Sequence, residues 1–260
     1  MEQELKTQKI SVSETLISSF RLWKDNFITI ALVITIVFIP VQVLIELSSI
    51  GFENLRGPNY LDSTEGWRRL VNEARIYDAI RQLIGVIATL GVFNFIYSLH
   101  RKGEDKRNAF ELVRFGLRKW PENFIQTLIA GLITLLFTLL LIIPGIYKAV
   151  QYSFVSNLVS DEERDPLAKS RFLVKDKWFD VFGMLLLIFL IGFIIEIIIA
   201  VPFIILPDSF LTSIIFGVII AIVSSYTIVI KGLYFLKLTE LKTRIEDSIK
   251  EEENTIANNG

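Results

Sequence analysis

The 260-residue sequence contains no cysteine, a single histidine, and no excess of charge of either sign. The lack of cysteine excludes disulfides, thiol nucleophiles and thiolate metal sites. One histidine leaves too few imidazole ligands for a typical zinc site. Lysine and arginine number 27 against 28 aspartates and glutamates, so the basic excess of a nucleic-acid-binding domain is missing. We therefore expect no metal, no cofactor and no nucleic-acid partner.

Motifs that bind nucleotides or carry out hydrolysis are also missing. The sequence has no Walker lysine loop, no GxGxxG, no GxSxG and no HExxH. No pair of acids has a spacing that suggests hydrolysis. These absences favour a non-enzymatic protein, and a membrane-embedded lipid enzyme is the least favoured alternative.

The chain contains long apolar segments. Hydrophobic residues make up 52% of it, and its mean hydropathy is +0.51. A helix of about 20 apolar residues crosses a bilayer core of roughly 30 Å. Helices are favoured over strands because each helix satisfies its own backbone in lipid. The five predicted spans cover residues 26–45, 82–99, 123–147, 181–207 and 209–230, and Glu196 is the only charge in these runs.

A sixth predicted span covers residues 145–160 and is the fourth in chain order, so we call it the predicted fourth span. It is short, because 16 residues of helix measure about 24 Å. Either Ile143-Pro144-Gly145 is a tight turn from which the chain returns across the membrane, or Pro144 kinks one long helix that protrudes. Lysine and arginine concentrate in cytoplasmic segments close to spans. With the turn at the outer face, the four basic segments share one side: residues 1–26, 100–123, 161–178 and 231–260. We therefore predict six spans, with both termini cytoplasmic, in a bacterial cytoplasmic membrane.

The chain also predicts a threefold repeat. Trp23, Trp120 and Trp178 each precede a phenylalanine by four residues at the start of a predicted span. Helix-start signals stand upstream at Ser11, Asn108 and Asp165. The distance from Trp120 to Pro144 equals that from Trp178 to Pro202, at 24 residues.

The predicted fold is therefore an all-α bundle of six transmembrane helices in three hairpin repeats, with cytoplasmic amphipathic helices at the interface. It forms a single membrane domain over residues 1–260. Its parts are an amphipathic N-terminus (1–26), a first hairpin (27–99) with an external loop (49–78), a second unit (100–161), a third unit (162–238) and a cytoplasmic tail (239–260).

Two segments carry a family resemblance. IPGIYKAVQYSF at 143–154, followed by DPLAKSRFLVKDKWFDVFGMLLL at 165–187, resembles the bacterial glycerophosphoryl diester phosphodiesterase membrane-domain family of inner-membrane proteins. The spacing departs from that family at Lys169-Ser170 and after Trp178. The resemblance implies a six-helix membrane module. It implies no phosphodiesterase activity here, since this chain lacks the catalytic domain that some relatives carry.

Charged and polar residues inside the spans are the candidate substrate-binding residues. Intramembrane charges mark functional sites by default. Glu196 and Lys148 are either a coupling site or substrate contact of a transporter, or they are structural, as an ion pair or with Lys148 reaching the outer membrane surface. Four residues of the predicted fourth span share one helical face, which either packs in the bundle or lines a hydrated cavity. That face and its neighbours comprise Gln151, Tyr152, Ser153, Ser156, Asn157 and Ser160, with residues 224–227 as expected partners.

Basic residues beside the spans are the candidate contacts for lipid headgroups, since such clusters attract anionic lipid. They are Lys169, Arg171, Lys175, Lys177, Arg114, Arg118 and Lys119. The alternative is that they only set topology. Together these features predict a non-enzymatic membrane module that binds or moves an amphipathic lipid or peptide, or that assists another membrane protein. A stand-alone transporter, or a self-protection protein against membrane-active peptides, is the alternative.

Overall fold

The computed structural model describes residues 9–53, 64–103, 105–203, 205–206 and 209–259; side chains at 50–53, 65–67, 69–70 and 251–259 are not described. Residues 54–63 of the predicted external loop, which include Gly57 and Ser63, therefore lie outside the described residues. The described chain is almost entirely helical. Its helices are α1 (Val12–Asp25), α2 (Phe27–Glu53), α3 (Thr64–Lys102), α4 (Ala109–Leu140), α5 (Ile142–Gln151), α6 (Val155–Ser160), α7 (Pro166–Val174), α8 (Trp178–Phe203) and α9 (Phe210–Asn259).

Five of these helices are long and apolar enough to cross a membrane, namely α2, α3, α4, α8 and α9. The predictions of an all-α fold and of helices able to span a membrane are confirmed, the latter by helix length and hydropathy. The helix-start signals are also present as predicted: the side chains of Ser11, Asn108 and Asp165 accept hydrogen bonds from backbone N–H groups three residues downstream. Each bond satisfies an amide that the first helical turn leaves without a partner.

The predicted fourth span is not one helix. Leu141 is extended, with φ −158° and ψ 139°, and the chain reverses there, so that Gly145 lies against Thr138 of α4. This agrees with a turn and excludes the single long kinked helix. The returning chain is then interrupted between α5 and α6 at residues 152–154, so it forms two short helices.

The repeat has no uniform structural counterpart at its tryptophans. Each indole ring packs against the phenylalanine four residues later, at centroid distances of 5.0 Å, 5.6 Å and 5.2 Å. Trp23, however, precedes a break between two helices, Trp120 lies inside α4, and Trp178 begins α8. Pro202 lies inside α8, whereas Pro144 follows a chain reversal. The equal 24-residue spacing therefore ends in two different local structures.

Three ion pairs and one hydrogen bond bring the basic segments to one end of the bundle. Three of these four contacts engage α9: the ion pairs Glu14–Lys237 and Asp176–Lys242, and the hydrogen bond between His100 and Glu240. The fourth, Arg101–Asp161 at 2.8 Å, joins the end of α3 to the loop after α6. We call this end, marked by residues 237–242 of α9, the basic end. The tail predicted from residue 239 onward is a continuation of α9, whose backbone stays helical to Asn259.

The densest packing lies toward the basic end. Phe93, Phe154 and Phe235 are fully buried there, and the ring of Phe154 lies 5.6 Å from that of Phe235. In contrast, Val181 and Met184 are the buried residues of α8, and the second half of α4 is mostly exposed. Such long apolar exposed faces are typical of helices that contact lipid.

Candidate functional site

A cavity of about 600 Å³ lies between α2, α3, α8 and α9. We call it the bundle cavity. Its walls are largely apolar, with Ile34 and Phe38 on α2 and Phe216 and Ile220 on α9. A few polar side chains interrupt these walls, which is the usual composition of a site for a small organic ligand. They are Gln42, Glu46, Arg81, Gln82, Thr89, Glu196, Ser213, Ser224, Ser225 and Thr227.

Glycines set how closely the cavity walls approach α2. A Cβ atom at Gly85 of α3 would lie 2.9 Å from the Phe38 ring, and a Cβ atom at Gly217 of α9 would lie 2.9 Å from the Gln42 amide. Both distances are shorter than normal contacts. The missing side chains therefore let α3 and α9 pack against opposite sides of α2, and the cavity forms where the helices separate again.

A chain of polar side chains lines the cavity at the end opposite the basic end. Arg81 donates to Asp78 at 2.6 Å and to the side-chain oxygen of Gln42 at 3.3 Å. Gln42 in turn donates to Glu46 at 3.0 Å. Among the described residues, the buried Arg81 Nε atom has no hydrogen-bond partner. This group of three ionised side chains and one amide gives the apolar cavity a polar end.

Glu196 lies in the wall that α8 contributes. The Gly192 backbone packs on Thr227, and the rings of Phe203 and Phe216 lie 4.6 Å apart, so α8 and α9 run antiparallel in a fixed register. That register places Glu196 beside the middle of the apolar part of α9. Among the residues that the structure describes, no cation lies within ion-pair distance of Glu196.

Lys148 does not meet Glu196. Its ammonium donates to the Gln151 side chain at 3.1 Å and lies 5.0 Å from the centre of the Phe137 ring. Both partners belong to the α4–α5 hairpin. The hypothesis that Lys148 and Glu196 form an ion pair is therefore wrong, and Lys148 lies outside the bundle cavity.

The polar face of α5 and α6 is packed rather than open. Gln151, Tyr152, Asn157 and Ser160 are buried, while Ser153 and Ser156 are half-buried. The Gln151 carbonyl accepts from Ser170 at 2.7 Å, and the Ser160 hydroxyl donates to the Ser156 carbonyl at 3.0 Å. The structure thus matches the packing alternative for this face.

The expected partners at residues 224–227 lie elsewhere in the bundle. Ser225 accepts a hydrogen bond from the Trp23 indole at 2.9 Å, and Tyr226 donates to the Leu16 carbonyl at 3.1 Å. These residues therefore attach α1 to α9. The prediction that they contact the polar face of α5 and α6 is wrong.

The predicted lipid-contacting cations fall into three groups. Arg118 and Lys119 approach Glu162 at 3.8 Å and 3.6 Å, and Lys119 also bonds Glu122. Lys177 is buried, and Lys169 lies over the Phe172 ring. Arg114, Arg171 and Lys175 are exposed. The exposed group remains well placed for a headgroup, whereas the Arg118–Lys119 pair already has a carboxylate nearby.

Sequence reasoning identified Glu196 but missed Gln42, Glu46 and Arg81. Arg81 immediately precedes the uncharged run at 82–99, and Gln42 is a large polar residue inside the first predicted span. Polar residues at these depths are a usable signal. Their contact across 39 positions could not be read from local pattern.

Comparisons with family models, curated proteins and solved structures find no match for this chain. The resemblance to the phosphodiesterase membrane-domain family therefore stays a prediction.

Proposed function

We propose that this protein is a non-enzymatic membrane module that binds an amphipathic molecule carrying a cationic group in the bundle cavity. The observation that carries the proposal is Glu196, an intramembrane carboxylate that lines an apolar cavity and has no cation near it among the described residues. Glu196 is exposed on α8, and a charged side chain without a partner inside the hydrocarbon core of a membrane is costly. A ligand cation would remove that cost.

The charges around the cavity favour a cation over an anion. Its wall holds two carboxylates, Glu46 and Glu196, and one guanidinium, Arg81. Arg81 is already engaged by Asp78 and Gln42. An anionic headgroup would have to compete with Asp78, whereas a cationic one meets Glu196 directly. The apolar walls supply the hydrophobic contact for the rest of the ligand.

The position of the basic end indicates how the bundle is oriented across the membrane. Lysine and arginine near spans favour the cytoplasm, and both described terminal segments reach this end through Glu14–Lys237 and the C-terminal half of α9. We propose that the basic end faces the cytoplasm of a bacterial cell and that the polar mouth at Arg81 faces outward.

The same carboxylates support self-protection against cationic membrane-active peptides as a second candidate. Such peptides combine lysine or arginine with apolar residues. A cavity of about 600 Å³ accommodates a few side chains of a peptide rather than its whole length. Movement of a bound ligand across the membrane would make the protein a transporter, and efflux from proteoliposomes separates that case from binding alone.

The test uses a matched pair of lipophilic ions, tetraphenylphosphonium and tetraphenylborate, which have nearly the same shape and opposite charge. Purified protein in nanodiscs should bind the cation more tightly than the anion. Glu196→Gln should weaken cation binding about tenfold, which corresponds to about 1.4 kcal/mol, and should leave the anion nearly unaffected.

The control is Glu163→Gln, which removes the same charge in the loop after α6, outside the cavity. It should bind the cation as the wild type does. Equal binding of the two ions, or equal affinity of the Glu196 variant and the wild type for the cation, would contradict the proposed site.

A further inference from the structure

We infer that the α4–α5 hairpin does not cross the membrane but inserts its apolar turn into the leaflet at the basic end, where a groove beside α8 holds an anionic phospholipid. This inference is independent of the bundle cavity. It rests on where the turn lies along the bundle, on the side chains that the turn exposes, and on the lysines beside it.

The position of Trp178 along the bundle axis follows from the packing of α8 on α9. Gly192 packs on Thr227, and Phe203 packs on Phe216; both pairs of residue numbers have the same sum, as in an antiparallel pair in register. Continuing that register to the start of α8 places Trp178 beside Leu241 of α9. The ion pair between Asp176 and Lys242, at 2.9 Å, confirms this level independently.

The hairpin turn lies close to Trp178. The Trp178 indole donates to the Tyr147 carbonyl at 3.2 Å, and the two rings stack with centroids 5.6 Å apart. The turn at Leu141–Gly145 therefore lies close to the level of Leu241, at the basic end. A crossing hairpin would need its turn near Phe210, which is 31 residues along α9, or roughly 46 Å.

The first turns of α4 pack antiparallel against α3. The carbonyl of Leu112 lies 2.7 Å from the Cβ position of Gly91, and the carbonyl of Ile87 lies 2.1 Å from that of Gly116; both pairs of residue numbers have the same sum. Further along α4, Ala130 packs against Tyr152 and Val155 of the returning chain. The returning chain lies near Trp178, so we place the end of α4 at the basic end.

The turn exposes large apolar side chains, whose contact with water is unfavourable. Leu139, Leu140, Ile142 and Ile143 are 75%, 76%, 70% and 81% exposed. Burial of apolar surface is worth about 25 cal/mol per Å², so a surface of this kind partitions into lipid. Since it lies at the basic end, the lipid is that of the adjoining leaflet.

A groove of about 700 Å³ separates the turn from the start of α8. Ile143, Ile146, Phe179 and Phe182 supply apolar walls suited to an acyl chain. The polar rim contains Lys175, Asp176, Lys177 and Asp180. Asp176 is held by Lys242, so the rim with Lys242 carries a net charge of +1. A phospholipid with an anionic headgroup fits both the walls and the rim.

Spin labels test the position of the hairpin, and the chain suits this experiment because it has no cysteine. Labels at Ile143→Cys and Phe179→Cys should be close together. Labels at Ile143→Cys and Ser209→Cys should be separated by at least the length of α8, roughly 37 Å for 25 steps of helix. A short Ile143–Ser209 distance would show that the hairpin crosses, and it would overturn the inference.

Lipid retention tests the groove. Native mass spectrometry of protein extracted from vesicles of phosphatidylglycerol and phosphatidylcholine should show retained phosphatidylglycerol. Lys175→Gln with Lys177→Gln should lower that retention, by up to about fivefold for each lysine. The control, Lys102→Gln with Lys250→Gln, removes two exposed charges outside the groove and should retain the lipid.

A second double variant tests the groove while leaving the buried Lys177 unchanged, so it avoids any folding defect caused by replacing that lysine. Ile143→Ser with Phe179→Ser changes two side chains that are 81% and 82% exposed, so the packed core is left intact. This variant should also retain less phosphatidylglycerol. Retention equal to that of the wild type in both variants, or an equal loss in the control, would overturn the lipid site.

Discussion

At the scale of single residues, two glycines hold α3 and α4 together. A Cβ atom at Gly116 would lie 2.1 Å from the Ile87 carbonyl oxygen, and one at Gly91 would lie 2.7 Å from the Leu112 carbonyl oxygen. The obstructing atoms belong to the backbone of a packed helix. They cannot move aside as the end of a flexible side chain can.

Gly116→Ala should therefore destabilise the protein by about 1–3 kcal/mol, the usual cost of overpacking. Gly131→Ala is the matched control on the same helix, because nothing lies within 4 Å of its Cβ position. That variant should be neutral or up to about 1 kcal/mol more stable, since alanine favours helix over glycine. Thermal unfolding in detergent measures both. Equal effects of the two substitutions would contradict the close packing at Gly116.

The sequence predicted those residues whose role depends on their near neighbours. The caps at Ser11, Asn108 and Asp165 were readable because each acts within three residues of its own position. Glu196 was readable because one charge interrupts an apolar run. The partners of Arg81 and Lys148 were not, since charge and hydropathy patterns carry no information on which helices become neighbours.

At the scale of elements, the connection between α3 and α4 is organised by a buried carboxylate. The Asp105 side chain is 2% exposed, and Arg107 Nε lies 3.0 Å and 3.1 Å from its two oxygens. Arg107 also donates to Asn94 of α3 at 2.5 Å. Burial alone would raise the pKa of Asp105, but the bonds from Arg107 outweigh burial and hold its pKa below the usual value.

A depressed pKa means that ionised Asp105 stabilises the folded protein above about pH 4, the usual value for aspartate. That stability is lost as the pH falls through the lower pKa of the folded state. Asp105→Asn should therefore be less stable than the wild type at pH 7, and the difference should shrink in strong acid. Thermal unfolding of both proteins between pH 3 and pH 7 measures it. A difference that stays constant over this range would contradict the prediction.

The pKa of Asp161, in the loop after α6, is shifted in the opposite direction to that of Asp105. Burial raises its pKa, and Arg101 at 2.8 Å offsets part of that rise. A raised pKa means that stability is fully present below about pH 4 and falls as the pH rises through the pKa of the folded state. Relative to Asp161→Asn, the wild type should lose stability over that interval. Parallel pH profiles for the two proteins would show that Asp161 is not buried as described.

The helices also show a limit of predicting membrane topology from the positions of lysine and arginine. The rule that lysine and arginine lie in the cytoplasm correctly groups the four basic segments, which the ion pairs and the His100–Glu240 hydrogen bond gather at one end. It assumes that each apolar run between two such segments crosses the membrane. The α4–α5 hairpin satisfies the charge count whether or not it crosses, so charge does not determine its depth; our proposal that it does not cross rests on the contact of Tyr147 with Trp178.

At the scale of the whole molecule, the proposed orientation is open to cysteine labelling. Single cysteines at Asn72 and Ser209, both exposed and distant from the basic end, should react with an impermeant maleimide on intact cells. Cysteines at Lys102 and Arg164, both exposed near that end, should react only after the membrane is opened. Ser170 is unsuitable as a probe because it is fully buried. Outside labelling at Arg164 would reverse the orientation.

The sparse packing of α8 also governs how a ligand reaches the bundle cavity. Of its 26 residues, two are buried, so one wall of the cavity is a helix that leans on α9 and otherwise borders lipid. A hydrophobic ligand would then arrive sideways from the bilayer, and its supply would be set by its partition coefficient. The apparent dissociation constant, expressed per volume of water, should rise in proportion as more lipid is added at constant protein, because added bilayer dilutes the ligand within the membrane.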